Sequence, residues 1–196
     1  IIENCDINIG DNLIALSKSK SLNKLKAKLP FVENIEFERN FPDTLILKIT
    51  DAKEYVCYKV DKNYYSVSKN GWVLKSYTQK PKGIMLIISE NVNCKVGSEL
   101  NFSDVSVKET YLIVEEALST CKLSIDYVDI SDKISIKAKV DGRFIVDFGS
   151  SKDLEQKLKH LNAMIKEIGE TVTGKIDLSM WSSQNTQGAF VETKIK

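Results

Sequence analysis

Apolar and polar positions alternate through Ile35, Phe37 and Arg39, and again through Leu45, Leu47 and Ile49. A two-residue period is the mark of strands with one buried face. Between the two runs stands Phe41-Pro42-Asp43-Thr44. Pro42 presets a turn and Asp43 can hydrogen-bond nearby backbone, so Phe31 to Asp51 is expected to form a hairpin. Upstream, Ile2 to Gly10 reads as a first short strand that Gly10 ends. Two short helices are expected between Asn12 and Leu29. Asp11 or Asn12 caps the first, with Leu13, Ile14 and Leu16 on its apolar side. Ser21 caps the second, with Leu22, Leu25 and Leu29 at helical spacing, and Pro30 ends it. The expected order is strand-helix-helix-strand-strand, a helix layer on a small sheet.

Beyond Lys53 the texture turns to strands. Tyr55–Val60, Tyr64–Ser68, Trp72–Leu74 and Ile84–Ile88 are short apolar runs, with a turn signal at Asn70-Gly71. Phe102–Cys121 reads as a helix capped by Ser103 or Asp104, with a stripe of Val107, Tyr111, Val114 and Leu118. Strands follow at Ile125–Ile130, Ile134–Val140 and Arg143–Phe148, the last two joined by Asp141-Gly142. Ser150 opens a second long helix whose stripe is Leu154, Leu158, Leu161, Ile165 and Ile168, with Gly169 at its end. Two final strands are expected at Lys175–Trp181 and Gly188–Ile195, joined by the polar loop Ser182–Gln187. The fold class is therefore α+β, divided at residues 1–52 and 53–196.

The chain has 196 residues, enough for one or two domains, and a formal net charge of +1 from 28 basic and 27 acidic residues. That balance speaks against a nucleic-acid protein, which carries a basic excess. Lys18, Lys20, Lys24, Lys26 and Lys28 do cluster. They read either as a solvated helix face or as a contact for an anionic membrane or wall polymer. No run is long and apolar enough to cross a bilayer, and no signal peptide is visible. The chain opens on Ile1 rather than Met, so it reads as a piece of something longer.

The hairpin motif Arg39-x-Phe41-Pro42-x-Thr44-Leu45-x-Leu47 resembles the POTRA domain of the bacterial division protein family DivIB/FtsQ. Tyr65–Leu74, Lys80–Leu86, Gly142-Arg143, Gly149, Lys157-Leu158 and Ile176-Asp177-Leu178 fit later motifs of the same family in the same order. The chain departs from it at Asp51, where the family often has Glu, and lacks the Pro-Val usual nearby. The resemblance implies a small POTRA domain followed by a larger mixed β domain with two packed helices. It implies a scaffold anchored by one upstream membrane helix, with this part on the extracytoplasmic side. It also implies partners, the small coiled-coil division proteins DivIC/FtsB and FtsL, bound by late strands of the β domain. Carried onto this chain, the partner-binding residues are Trp181, Gly188, Ala189, Phe190, Val191 and Glu192, with Arg39 and Phe41 as a second docking region. The bland alternative makes that strand an ordinary sheet member, Phe41 and Pro42 a folding motif, and Trp181 a core residue.

Residues with catalytic potential are sparse. His160 is the single histidine, which gives no metal cluster and reads as structural. Cys5, Cys57, Cys94 and Cys121 are far apart with no CxxC pair, and Cys5 and Cys57 sit in apolar surroundings that suit small buried hydrophobes. Glycines form no phosphate-binding loop. The nearest carboxylate pairs are Glu115/Glu116, on different sides of a helix, and Asp129/Asp132, at a turn. No enzyme, cofactor or metal is expected. The competing readings are a POTRA-bearing transport or assembly protein and a wall-active enzyme built on converging carboxylates.

Overall fold

The computed structural model describes residues 2–5, 7–182, 184 and 188–192. Among the described residues four helices form, α1 Ile2–Cys5, α2 Lys18–Lys28, α3 Val105–Ser119 and α4 Leu154–Ile168. The first strands are β1 Val32–Asn40, β2 Thr44–Asp51, β3 Glu54–Val60, β4 Asn63–Ser68 and β5 Val73–Tyr77. Then come β6 Met85–Ile88, β7 Val92–Asn93, β8 Asn101–Phe102, β9 Ile125–Asp129 and β10 Ile136–Val140. The last are β11 Phe144–Gly149, β12 Gly174–Asp177 and β13 Ala189–Glu192. The chain is an α+β protein in two compact units. One holds residues up to Lys82 together with Asn93–Asn101, and the other holds Gly83–Val92 and the chain from Phe102 onward.

In the first unit the hairpin expected from the two-residue period is present. β1 and β2 pair antiparallel with Ile35 opposite Ile49, Phe37 opposite Leu47 and Arg39 opposite Leu45. Cys5, Leu25, Val32 and Ile35 form its buried core, with Leu22, Leu29, Phe37, Leu47 and Ile49 packed around them. A fully buried leucine or isoleucine is worth about 1.5–3 kcal/mol, so Leu25 and Ile35 anchor α2 to the hairpin. β3, β4 and β5 form a separate antiparallel meander, with Cys57 opposite Ser66 and Tyr65 opposite Ser76.

The segment before the hairpin departs from expectation. Residues 2–5 are helical rather than extended, and no helix forms around Leu13. Asn12 explains the second point. Its Oδ1 accepts from the Ile14 amide at 2.9 Å and its carbonyl accepts from the Ala15 amide at 3.0 Å, which closes a turn. An Asn engaged this way offers the backbone an alternative to helix. The single helix α2 is then capped by Ser17, whose Oγ accepts from the Lys20 amide at 3.4 Å, while Ser21 is buried inside the helix. The order is helix-helix-strand-strand, and among the described residues the hairpin makes a sheet of two strands.

In the second unit six strands lie in the order β13-β12-β11-β10-β9-β6. β12 runs parallel to β11, and β6 parallel to β9; the other neighbours are antiparallel. Each parallel pair needs a crossover, supplied by α4 between β11 and β12 and by α3 between β6 and β9. Asp104 caps α3 by accepting from the Ser106 amide at 2.8 Å. Most of the expected stripes are buried, Val107, Tyr111 and Val114 on α3 and Leu154, Leu158, Leu161 and Ile165 on α4, while Leu118 and Ile168 at the helix ends are half-buried and α4 opens at Leu154 rather than at Ser150. Part of the expected loop Ser182–Gln187, and the end of the expected last strand at residues 193–195, lie outside the described residues.

Candidate functional site

Register turns the six-stranded sheet into rows of side chains. One row is Phe190, Ile176, Val146, Ala138, Val128 and Ile87, every member buried except the half-buried Phe190. On the opposite face lies Val191, Lys175, Ile145, Lys139, Tyr127 and Leu86. Beside it runs Ala189, Asp177, Asp147, Lys137, Asp129 and Ile88. The alternation of the pleat therefore splits the sequence-derived docking residues. Phe190 extends the core row, whereas Ala189 and Val191 point to the face that carries the lysines and aspartates.

β13 ends the sheet. It hydrogen-bonds β12 on one side, and no described strand pairs with its other side. Val191 is 57 % exposed, and Ala189 and Glu192 are exposed as well. Gly174 fixes how closely β13 approaches β12. A Cβ there would lie 2.5 Å from the Val191 carbonyl oxygen and 2.6 Å from the Phe190 ring. The bare glycine lets that ring lie over the backbone. A Cβ at Gly188, at the entry to β13, would likewise lie 2.8 Å from Leu178 Cδ2 and 3.3 Å from Met164 Sδ. Asp177, across from Ala189, accepts from the Ser179 amide at 2.8 Å. The Ser179 hydroxyl and amide hold its carboxyl below the usual range, so it stays charged on this face.

Trp181 is half-buried and stacks on His160, with ring centroids 5.7 Å apart and planes tilted by 32°. Its indole Nε1 is buried and has no hydrogen-bond partner among the described residues. Trp181 thus belongs to the joint between α4 and the end of β12 and does not stand on the free edge. In the first unit, Arg39 Nε donates to the Leu13 carbonyl at 2.7 Å and its Nη2 to the Leu16 carbonyl at 3.0 Å. Arg39 is engaged in holding that loop, while Phe41 beside it is 66 % exposed.

Other titratable groups have structural engagements. Asp129 accepts from the Ser131 amide and Asp132 from the Ile134 amide, both at 3.0 Å, as turn residues do. Among the described residues no group of three or more His, Cys, Asp or Glu lies close enough to hold a metal ion. All four cysteines are free thiols, and burial pushes that of Cys57 up to about 11. Two features escaped the sequence reading, the burial of Lys157, which it named only in a Lys-Leu motif, and the closeness of Gly174 to β13. Lys157 sits one turn before Leu161 on the apolar stripe, is 2 % exposed, and donates to the Phe148 and Ser150 carbonyls at 2.6 and 3.2 Å. Its signal was a lysine at a stripe position. The closeness of Gly174 to β13 had no signal beyond a glycine preceding a strand.

A family model described as "Cell division protein FtsQ/DivIB, C-terminal" matches residues 57–179. The chain belongs to the FtsQ/DivIB family. It is 23 % identical over 187 residues to cell division protein DivIB of Clostridium botulinum strain Hall, covering 91 % of this chain and 72 % of that protein. It is 22 % identical over 167 residues to cell division protein FtsQ of Streptomyces coelicolor, covering 84 % of this chain and 63 % of that protein. A role in cell division follows from this membership. The matched stretch of the FtsQ/DivIB model runs from β3 to the residue after Leu178 and includes neither Trp181 nor β13. Among the described residues no helix is long and apolar enough to cross a membrane.

Proposed function

We propose that this member of the FtsQ/DivIB family is a non-enzymatic scaffold of the division machinery. It stands on the extracytoplasmic side of the cell membrane, held by a single upstream helix. It binds the ectodomains of DivIC/FtsB and FtsL, and through them helps regulate septal wall synthesis. Residues 1–52 form a docking layer of the POTRA kind, with Phe41 at its exposed tip, and residues 53–196 form the partner-binding β domain.

The observation that carries this reading is the free edge of β13. An edge strand presents unpaired backbone N–H and C=O groups, and a partner strand can add to it. Main-chain hydrogen bonds give affinity there, and alternate side chains give selectivity. The partner residue beside Phe190 continues the core row and is apolar. Its neighbours on the other face meet Val191 and the charged rows of Lys175 and Asp177. Calorimetry with pre-mixed soluble ectodomains of DivIC and FtsL tests the reading, with Val191→Asp alongside the unsubstituted protein. Binding that Val191→Asp abolishes while the fold is kept is the expected result; binding that it leaves intact moves the site away from β13.

A further inference from the structure

The first unit carries its most exposed large apolar side chains at one end. Ile9, Ile14 and Phe41 are 107 %, 76 % and 66 % exposed. They rim one open recess of about 680 Å³ together with Leu13. A neighbouring recess of about 490 Å³ is lined by Leu13, Leu16, Leu45, Leu47 and Ile49. Isolated apolar residues on a surface need no explanation, but a contiguous group of large ones marks an interaction site. The loop that carries Ile9 and Ile14 is held in place by Arg39, through its bonds to the Leu13 and Leu16 carbonyls.

α2 begins directly after this loop. Residues 7–29 hold five lysines against the single acidic Asp11. Lys20, Lys24 and Lys28 recur at four-residue spacing, which places them in one exposed stripe. Lys18 and Lys20 stand in the first turn, where no acidic residue is present. That is the end of a helix where the macrodipole disfavours cations, so local stability does not account for them. Two acidic residues, Asp11 and Asp43, share the apolar rim. Asp11 accepts from the Asn8 amide and Asp43 from the Thr44 hydroxyl. Within α2 itself Lys18, Lys20, Lys24, Lys26 and Lys28 stand with no acidic residue in the helix.

We propose that the tip formed by Ile9, Ile14 and Phe41, with the lysine stripe of α2, is a seat for the surface of an anionic lipid bilayer. The proposal deepens the second docking surface of the reading above and rests on its placement of the chain beside a membrane. Exposed apolar side chains entering the interface next to a basic helix face are the two attractions that hold peripheral proteins on anionic lipid. A soluble anionic polymer would use the lysines and leave the apolar rim without a function, so the rim selects lipid.

Sedimentation with phosphatidylcholine vesicles, with and without phosphatidylglycerol, tests the assignment. The protein is expected to sediment only with the phosphatidylglycerol vesicles. Partitioning is expected to fall about tenfold in Ile9→Ser/Ile14→Ser/Phe41→Ser and at least as much in Lys18→Glu/Lys20→Glu/Lys24→Glu. Val191→Asp is expected to bind vesicles as the unsubstituted protein does, so failure of this proposal and failure of the β13 edge are separable. Ile14→Trp, which keeps the site intact, is expected to show a blue-shifted emission with anionic vesicles relative to the unsubstituted protein. No sedimentation with phosphatidylglycerol, or sedimentation that both triple variants retain, overturns the proposal. So does a concentration-dependent dimer in the absence of lipid that the serine variant loses, since the rim then belongs to a second copy.

Discussion

The ring of Phe190 stands edge-on to that of Phe144, with centroids 6.2 Å apart and planes at 72°. The Arg143 guanidinium lies over the other ring of the pair, 4.8 Å from the Phe144 centroid. This stack fixes the inward face of β13 and makes Phe190 a structural residue of the terminal strand. Its neighbour Val191, on the opposite face, is free to meet a partner. Phe190→Ala is therefore expected to cost about 1–3 kcal/mol, less than a fully buried phenylalanine because the side chain is half-buried. Val191→Asp is expected to cost about 0.5 kcal/mol or less, as surface substitutions do. Urea denaturation of both variants separates the two roles.

Gly174 sets the closeness of β12 and β13. Gly174→Ala places a methyl 2.5 Å from the Val191 carbonyl oxygen and 2.6 Å from the Phe190 ring, and neither the backbone nor the ring can yield without moving the strand. The expected result is a detached β13 on a retained core of β9, β10, β11 and α4, seen as fast amide exchange at residues 189–192 with slow exchange kept in β10 and β11. Partner binding is expected to fall with it.

Lys157 is a buried cation whose ammonium is satisfied by two backbone carbonyls. Burial holds its pKa below the ordinary lysine value, with Asp153 and Asp147 acting in the opposite sense. Lys157→Met keeps the stem and leaves the Phe148 and Ser150 carbonyls without their donor, at an expected cost of about 1–3 kcal/mol. Lys157→Ala adds a cavity and is expected to cost about 2–5 kcal/mol. Thermal or urea midpoints of the two variants measure the difference.

The buried Cys57 thiol gives the stability a pH dependence. It titrates near 9.0 in an unfolded chain and is pushed by burial to about 11 in the folded one. Between those values the unfolded chain has lost a proton that the folded chain keeps, so stability falls as pH rises. Lys157 acts with the opposite sign, because there the unfolded chain is the one that keeps its proton. The contribution of Cys57 is isolated by comparing urea midpoints of the protein and Cys57→Ala, under reductant, from pH 8 to 11. The gap between them is expected to shift in favour of the alanine variant as pH rises.

The hairpin from Val32 to Asp51 was legible because its period, its turn residues and its buried face all agree, and its register pairs the residues that alternation picked out. The long helices were legible because α3 joins a stripe to the cap at Asp104 and α4 carries an apolar stripe from Leu154 to Ile165, although α4 opens at Leu154 and not at Ser150, behind an Asp153 that makes no side-chain cap bond. The first strand was not, because among the described residues the hairpin sheet holds no third strand for Ile7 and Ile9, and Asn12 closes a turn where a helix cap was expected. Of the candidate site, the identity of the last strand was legible. Which of its residues face the core was not, because that depends on register against β12, and β12 is placed by a parallel crossover that no local pattern encodes. The engagement of Trp181 with His160, and of Arg39 with Leu13 and Leu16, likewise joins residues distant in sequence.

The most direct test of the scaffold reading is amide hydrogen exchange of this protein, alone and with the pre-mixed DivIC and FtsL ectodomains. Strand addition satisfies the outward backbone groups of β13, so protection is predicted to rise at residues 189–192 on binding. Binding without new protection in β13 contradicts the account.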